Sequence, residues 1–198
     1  MSRIFTFVAA VAGAILLTVP ASAQFSESYK FLDAVKKKEG EKVTAALDEP
    51  GTTIVNTRDV TTGEGALHIV VARRDFAWLQ FLVARGANVN LRDNKGVTPL
   101  VLAVRLNFLE GVEFLLEKGA RVDEANSAGE TPLITAIHNR NVQLMRLLLK
   151  AGANPDRADN SGRSARDYAA LDGTGGMTKE LVAATRPAPV KPSYGPTF

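Results

Sequence analysis

Gly96-Val97-Thr98-Pro99-Leu100 and Gly129-Glu130-Thr131-Pro132-Leu133 carry one pattern, Gly-x-Thr-Pro-Leu, at a distance of 33 residues. Working outward, Gly63 and Gly162 extend the same interval in both directions. The pairs Gly86-Ala87, Gly119-Ala120 and Gly152-Ala153 keep a second register in step with the first. Two registers at one interval mark a chain of stacked supersecondary units, none of which buries its apolar face alone.

The residues between the glycines define each unit. Thr98 and Thr131 stand where a hydroxyl caps a following helix, and Pro99 and Pro132 take the first helical position, where the missing N–H does no harm. Ala103 and Ala136 are small enough to let neighbouring first helices approach; Val70 holds the equivalent place one unit earlier. Second helices are predicted at Phe76 to Val83, Leu109 to Leu116 and Val142 to Leu149, with apolar residues at i, i+3, i+4 and i+7. Gly86, Gly119 and Gly152 follow the last periodic residue, where a left-handed C′ position suits a residue without Cβ.

This pattern resembles the ankyrin repeat family, whose units carry G-x-T-P-L-H, a small residue, and a paired-leucine helix ending in G-A. Gly63-Glu64-Gly65-Ala66-Leu67-His68 is a weaker copy. The resemblance implies an all-α solenoid of helix-turn-helix units joined by short β-turns. Five segments are expected: a signal peptide at 1–23, an N-terminal capping repeat at 24–62, three full repeats at 63–161, a C-terminal capping repeat at 162–185 and a disordered Pro-rich tail at 186–198. Terminal units need a polar outer face, and the ends depart accordingly. Ser28 to Asp48 reads as a helical pair carrying Lys36-Lys37-Lys38, and Ser164-Ala165 replaces Thr-Pro before a last helix at Thr178 to Ala184.

Residues 1–23 are a different object. One basic residue, Arg3, precedes an apolar run from Ile4 to Val19 and the cleavage pattern Ala21-Ser22-Ala23, which together read as an export signal. The run is short for a spanning helix of roughly 20 residues, and the competing reading is an uncleaved anchor. Cysteine is absent, which excludes a lipoprotein site, disulfides, thiol catalysis and Cys-ligated metal. Periplasmic localisation is expected, with full secretion as the second choice and no membrane span after cleavage. The 24 basic and 21 acidic residues nearly balance, so neither a nucleic-acid footprint nor polybasic membrane binding is predicted.

Catalytic chemistry finds no support. His68 and His138 lie too far apart for a metal-ligand motif, and His68 matches the structural histidine of the repeat, though Gly65 replaces its usual Thr partner. Gly173 to Gly176 lacks the strand and Lys-Ser/Thr pair of a phosphate loop. Acid pairs such as Asp123-Glu124 read as solvated turn charge. No nucleophile, base and orienter assemble, and no cofactor or metal is expected.

The resemblance implies a non-enzymatic protein-binding module, presenting turn tips and the inner face of its first helices. By spacing these are Thr61, Thr62, Glu64, Ala72 and Arg73; then Asn94, Lys95, Val97, Arg105 and Leu106; then Ser127, Ala128, Glu130, His138 and Asn139. Arg74, Asn107-Phe108 and Arg140-Asn141 replace the Gly-His pair that commonly ends the first helix. Partner binding is therefore assigned to Arg73, Arg74, Asn94, Lys95, Arg105, Leu106, Phe108, His138, Asn139 and Arg140: a basic ladder with Leu106 and Phe108 as apolar anchors. Cations at helix C-termini also favour the helix dipole, and both roles are compatible. The partner expected is a protein with an acidic surface, bound by a monomer that restrains, protects or positions it. Scaffolding of an envelope complex is the alternative.

Overall fold

The computed structural model describes residues 26–171 and 175–185. The expected export signal with its cleavage site, and the expected disordered Pro-rich tail, lie outside them, as do residues 172–174 of the glycine-rich loop.

Among the described residues ten helices run in antiparallel pairs: α1 (Glu27–Lys37) and α2 (Gly40–Asp48), α3 (Ala66–Ala72) and α4 (Phe76–Ala84), α5 (Pro99–Arg105) and α6 (Leu109–Glu117), α7 (Pro132–His138) and α8 (Val142–Lys150), α9 (Ala165–Ala170) and α10 (Gly176–Thr185). A 3₁₀ turn, Ile54–Asn56, follows the first pair. The caps form as the sequence predicts. Thr98 and Thr131 hydroxyls accept the N–H of Val101 and Ile134, and Ser164 with Asp167 closes a reciprocal capping box. The last helix begins two residues before the expected Thr178. Gly86, Gly119 and Gly152 end the second helices at φ 85°, 84° and 92°, conformations that would strain a side chain.

The core is one continuous cluster. Leu79, Leu82, Leu100, Leu115, Leu133, Leu144 and Leu148 are all buried to 1 % exposure or less. Each stabilises the fold by about 1.5–3 kcal/mol relative to an exposed side chain. Val70, Ala103, Ala136 and Ala169 are fully buried in the row α3, α5, α7, α9, so successive first helices pack closely. Contact between α4 and α6 is sparser, and the stack therefore curves toward its first helices.

Two hydrogen-bonded ladders tie the units. At the turn tips the N–H groups of Asn94, Ser127 and Asn160 donate to the carbonyls of Thr62, Lys95 and Ala128. Behind the second helices, the Asn56 amide donates to Gly86 O and accepts from Asn88 N, and Asn90 repeats this with Gly119 O and Arg121 N. Asp123 keeps only the accepting half, from Asn154 N at 2.9 Å. The Asp123-Glu124 pair thus staples units, with Glu124 also paired to Arg92, where the sequence reading has solvated charge.

Spacing fails before the first full repeat: α2 and α4 start 36 residues apart, at Gly40 and Phe76, where α4 and α6 start 33 apart, and part of the excess lies in the first tip. Asp93, Asn126 and Asp159 each donate their N–H to a carbonyl four residues on, whereas Asp59 donates to Glu64 O, five residues on. One extra residue bulges the first tip and leaves Val60 93 % exposed.

Candidate protein-binding face

Asx turns build the tips. The Oδ1 of Asp93 accepts Lys95 N and Val97 N at 2.8 Å, Asn126 serves Ala128 and Glu130, and Asp159 serves Ser161 and Arg163. Glu130 Oε1 lies 3.1 Å from His138 Nδ1 and 3.2 Å from Thr135 Oγ1, and Tyr168 OH donates to Asp159 Oδ2 at 2.7 Å. These contacts bring the tips and the outward stripe of the first helices onto one face. In register, that stripe is Ala72, Arg105, His138 and Leu171, all exposed.

Electrostatics on this face are asymmetric. Its carboxylates are half-buried and engaged within their own repeat units: Asp59 by Thr61 and Thr62, Glu64 by Thr62, Glu130 by Asn126, Thr135 and His138, Asp159 by Ser161 and Tyr168. The Ser161 and Tyr168 hydroxyls hold the Asp159 carboxyl well below the usual carboxylate range. Arg74, Lys95 and Arg105 are exposed, and their side chains have no hydrogen-bond or ion-pair partner among the described residues. Arg74 and Arg140 sit at φ 53° and 52°, a left-handed conformation costing a non-glycine residue about 1–2 kcal/mol.

Not every predicted site residue faces outward. Phe108 is 6 % exposed, its ring edge-on to Phe76 at 6.4 Å, so it is a core residue and no surface anchor. Its ring fits because Gly111 has no side chain: a Cβ there would fall 2.4 Å from the ring. Arg73 also turns inward. Its Nη1 donates to Val35 O at 2.6 Å, its Nε to Asp75, and its guanidinium lies over the Trp78 ring at 5.4 Å. The Nη2, which has no hydrogen-bond acceptor, belongs to the group on that π face. Asn139 donates to Val104 O and Arg105 O at 3.0 and 3.2 Å, closing the C-terminus of α5. Asn94 spends its side chain on Thr61 O and Arg58. Leu106 is half-buried; Lys95, Arg105, His138 and Arg140 stand on the surface as expected.

Tyr168 escaped the sequence reading. It packs edge-on to His138 at 4.5 Å, and the only trace of it in the chain is an aromatic residue in the register of Thr135. His68, by contrast, does what its position implies. Its Nδ1 accepts Gly65 N at 3.1 Å, replacing the missing Thr cap. A backbone N–H only donates, so Nδ1 is unprotonated and Nε2 donates to Val97 O at 3.0 Å. No group of three or more His, Cys, Asp or Glu residues is placed to hold a metal ion among the described residues. None of their helices is long and apolar enough to cross a membrane.

Stacked helical pairs under a row of hydrogen-bonded tips, with side chains projecting from one curved face, define a repeat solenoid of the binding type. The chain belongs to the ankyrin repeat family: family models described as ankyrin repeats match residues 31–126 and 115–169. It is 41 % identical over 54 residues to an ankyrin repeat protein of fowlpox virus, covering 27 % of this chain and 16 % of that one. An ankyrin repeat protein of Acanthamoeba polyphaga mimivirus is 41 % identical over 56 residues, 28 % of this chain and 8 % of its own length. Human diacylglycerol kinase iota is 39 % identical over 66 residues, 33 % of this chain and 6 % of the kinase. The chain thus spans less than a fifth of each of these relatives. What it shares with them is the repeat, a protein–protein interaction module, and no kinase activity follows from so short a match.

Proposed function

We infer that this is an exported, non-enzymatic binding protein of the periplasm that grips an acidic surface of one partner protein and restrains, protects or positions it. The carrying observation is the charge asymmetry of the curved face, where the carboxylates are engaged at home and Arg74, Lys95 and Arg105 are not. Cations with no internal partner keep their full attraction for an incoming carboxylate, while engaged anions add little repulsion. The export signal supports the periplasm, and the partners suited to that compartment are a cell-wall enzyme, an exported toxin or a stress-response enzyme. The protein acts as a monomer. A scaffold role in an envelope complex is the second reading, favoured by the uninterrupted length of the face from α3 to α9.

Affinity capture from periplasmic extract, read by mass spectrometry, tests the reading. Arg74→Glu with Arg105→Glu should lose a partner that the unmodified chain and Lys179→Glu both retrieve. Equal yield from all three sinks the assignment of this face. An intact Met1 terminus found in a membrane pellet sinks the periplasmic one.

A further inference from the structure

The opposite face of the stack, formed by the second helices, carries its own anomaly. At the outward positions α6 shows Glu110, Glu113 and Glu117, and α8 shows Gln143, Arg146 and Lys150. In register, α4 shows Ala77, Gln80 and Ala84, with no charge at all. Beside them Trp78 and Phe81 stand half-exposed, rings edge-on at 5.8 Å. A helix with no charged face is ordinarily well covered, and α4 is not. Small residues on α2 leave a gap there: Gly40 and Thr44, with Ala77, Trp78 and Phe81, line an open slot of about 270 Å³.

Charge says what fits it. The cations nearby are occupied: Lys38 and Arg73 by Asp75, Lys42 by Glu39, and Arg85 by Asp48. Exposed carboxylates flank the slot, Glu41 on α2 and Glu110 with Glu113 on α6, and none has a hydrogen-bond or ion-pair partner among the described residues. An apolar slot with free anions on both sides is complementary to an apolar stripe with cations on both sides. We propose that this rear slot is a second docking site, which takes a cationic amphipathic helix of a partner protein, its apolar stripe against Trp78 and Phe81 and its Lys or Arg residues against Glu41, Glu110 and Glu113. Helix-in-groove recognition uses this division of labour, apolar anchors for affinity and rim charges for selection. The site is independent of the curved-face reading and stands or falls without it.

Trp78 is the chain's single tryptophan, so its emission reports the slot directly. The probe is a helical Leu/Lys peptide of about 14 residues, long enough to cross α2 and α4, with a Leu/Glu peptide of the same pattern as control. The Leu/Lys peptide should shift Trp78 emission to shorter wavelength, saturably and at one peptide per chain, while the Leu/Glu peptide does nothing. Glu110→Lys with Glu113→Lys should weaken the Leu/Lys peptide by at least about tenfold and admit the Leu/Glu peptide. Thr44→Phe, which fills the slot from α2, should abolish binding, with circular dichroism confirming that the variant remains folded. Arg74→Glu with Arg105→Glu should leave the titration unchanged, which separates this site from the curved face. An absent shift, an equal response to both peptides, or full affinity in the charge-reversed variant overturns the proposal. So does self-association in sedimentation that shifts Trp78 and resists the peptide, because the slot's occupant is then a second copy of the chain.

Discussion

His68 Nε2 lies 3.0 Å from the carbonyl oxygen of Val97, so a side chain of the first full repeat holds the tip of the second. Its other nitrogen accepts Gly65 N, and the ring is 1 % exposed. One imidazole both starts α3, where Gly65 offers no capping side chain, and fastens the next unit.

That geometry predicts a pH dependence. Burial is the largest influence on the ring and lowers its pKa below the ordinary 6.5, the Val97 carbonyl pulling the other way. The unfolded chain therefore takes up the proton first. Stability is fully present above about pH 6.5 and falls as pH drops from there toward the lower folded value, since protonating Nδ1 breaks its bond from Gly65. Asp159 and Asp167 act later: their hydroxyl partners depress both from 3.8, so their contribution is lost only in stronger acid. Urea midpoints should fall between about pH 7 and pH 5, and His68→Asn should flatten that slope while lowering the midpoint at neutral pH. An unchanged slope in the variant would remove His68 as its cause.

Asp123 occupies the register of Asn90 but has no donor for the Gly152 carbonyl. Asp123→Asn should supply it, as Asn56 and Asn90 supply Gly86 and Gly119. The expected gain is about 0.5–1.5 kcal/mol, the net worth of one hydrogen bond, read as a raised denaturant midpoint. A lowered midpoint would mean that the carboxylate's charge-assisted bond to Asn154 N outweighs the added donor.

Phe108 now belongs to stability rather than to partner binding. Phe108→Ala should cost about 3–5 kcal/mol, the range for emptying a large buried site. Gly111→Ala should cost about 1–3 kcal/mol by overpacking, because the ring it would strike is itself wedged against Phe76. Thermal melts of both variants decide this, and a Phe108→Ala protein of unchanged stability would return the residue to the surface.

Leu115, on α6, is fully buried in the middle full repeat. Leu115→Ala should cost about 2–5 kcal/mol. Lys37, an exposed partner of Asp33 on the terminal unit, should shift the midpoint by only a small fraction of that when changed to alanine. Equal midpoints would show that the two residues do not hold the different places in the stack assigned to them.

Much of the fold was legible because the signals that set it are local. Thr-Pro places a helix start, glycine its end, and an i, i+3, i+4 stripe its buried side, all within a few residues. The site was legible only in part. Spacing placed Lys95, Arg105, His138 and Arg140 on the surface, where they are, but gave Phe108 the same standing, and only the packing of Gly111 turns that ring inward. The same rule missed the extra residue at Val60, because Asp59 looks like its counterparts until its hydrogen bond is traced to Glu64.

By itself, then, the amino-acid sequence determined the repeat, its register and the helices of each unit, since period and capping act along the chain. Tertiary structure decided which polar side chains are free. Arg73 and Asn139 reach back to carbonyls of the preceding unit, on Val35 and Val104, and are consumed there, while Arg74 and Arg105 are not. It also decided where apolar surface stays open, because the slot beside Trp78 depends on the small size of Gly40 and Thr44 on another helix. Those outcomes turn on side chains some 30 or more positions apart in the chain meeting across the stack, a distance that no local pattern encodes.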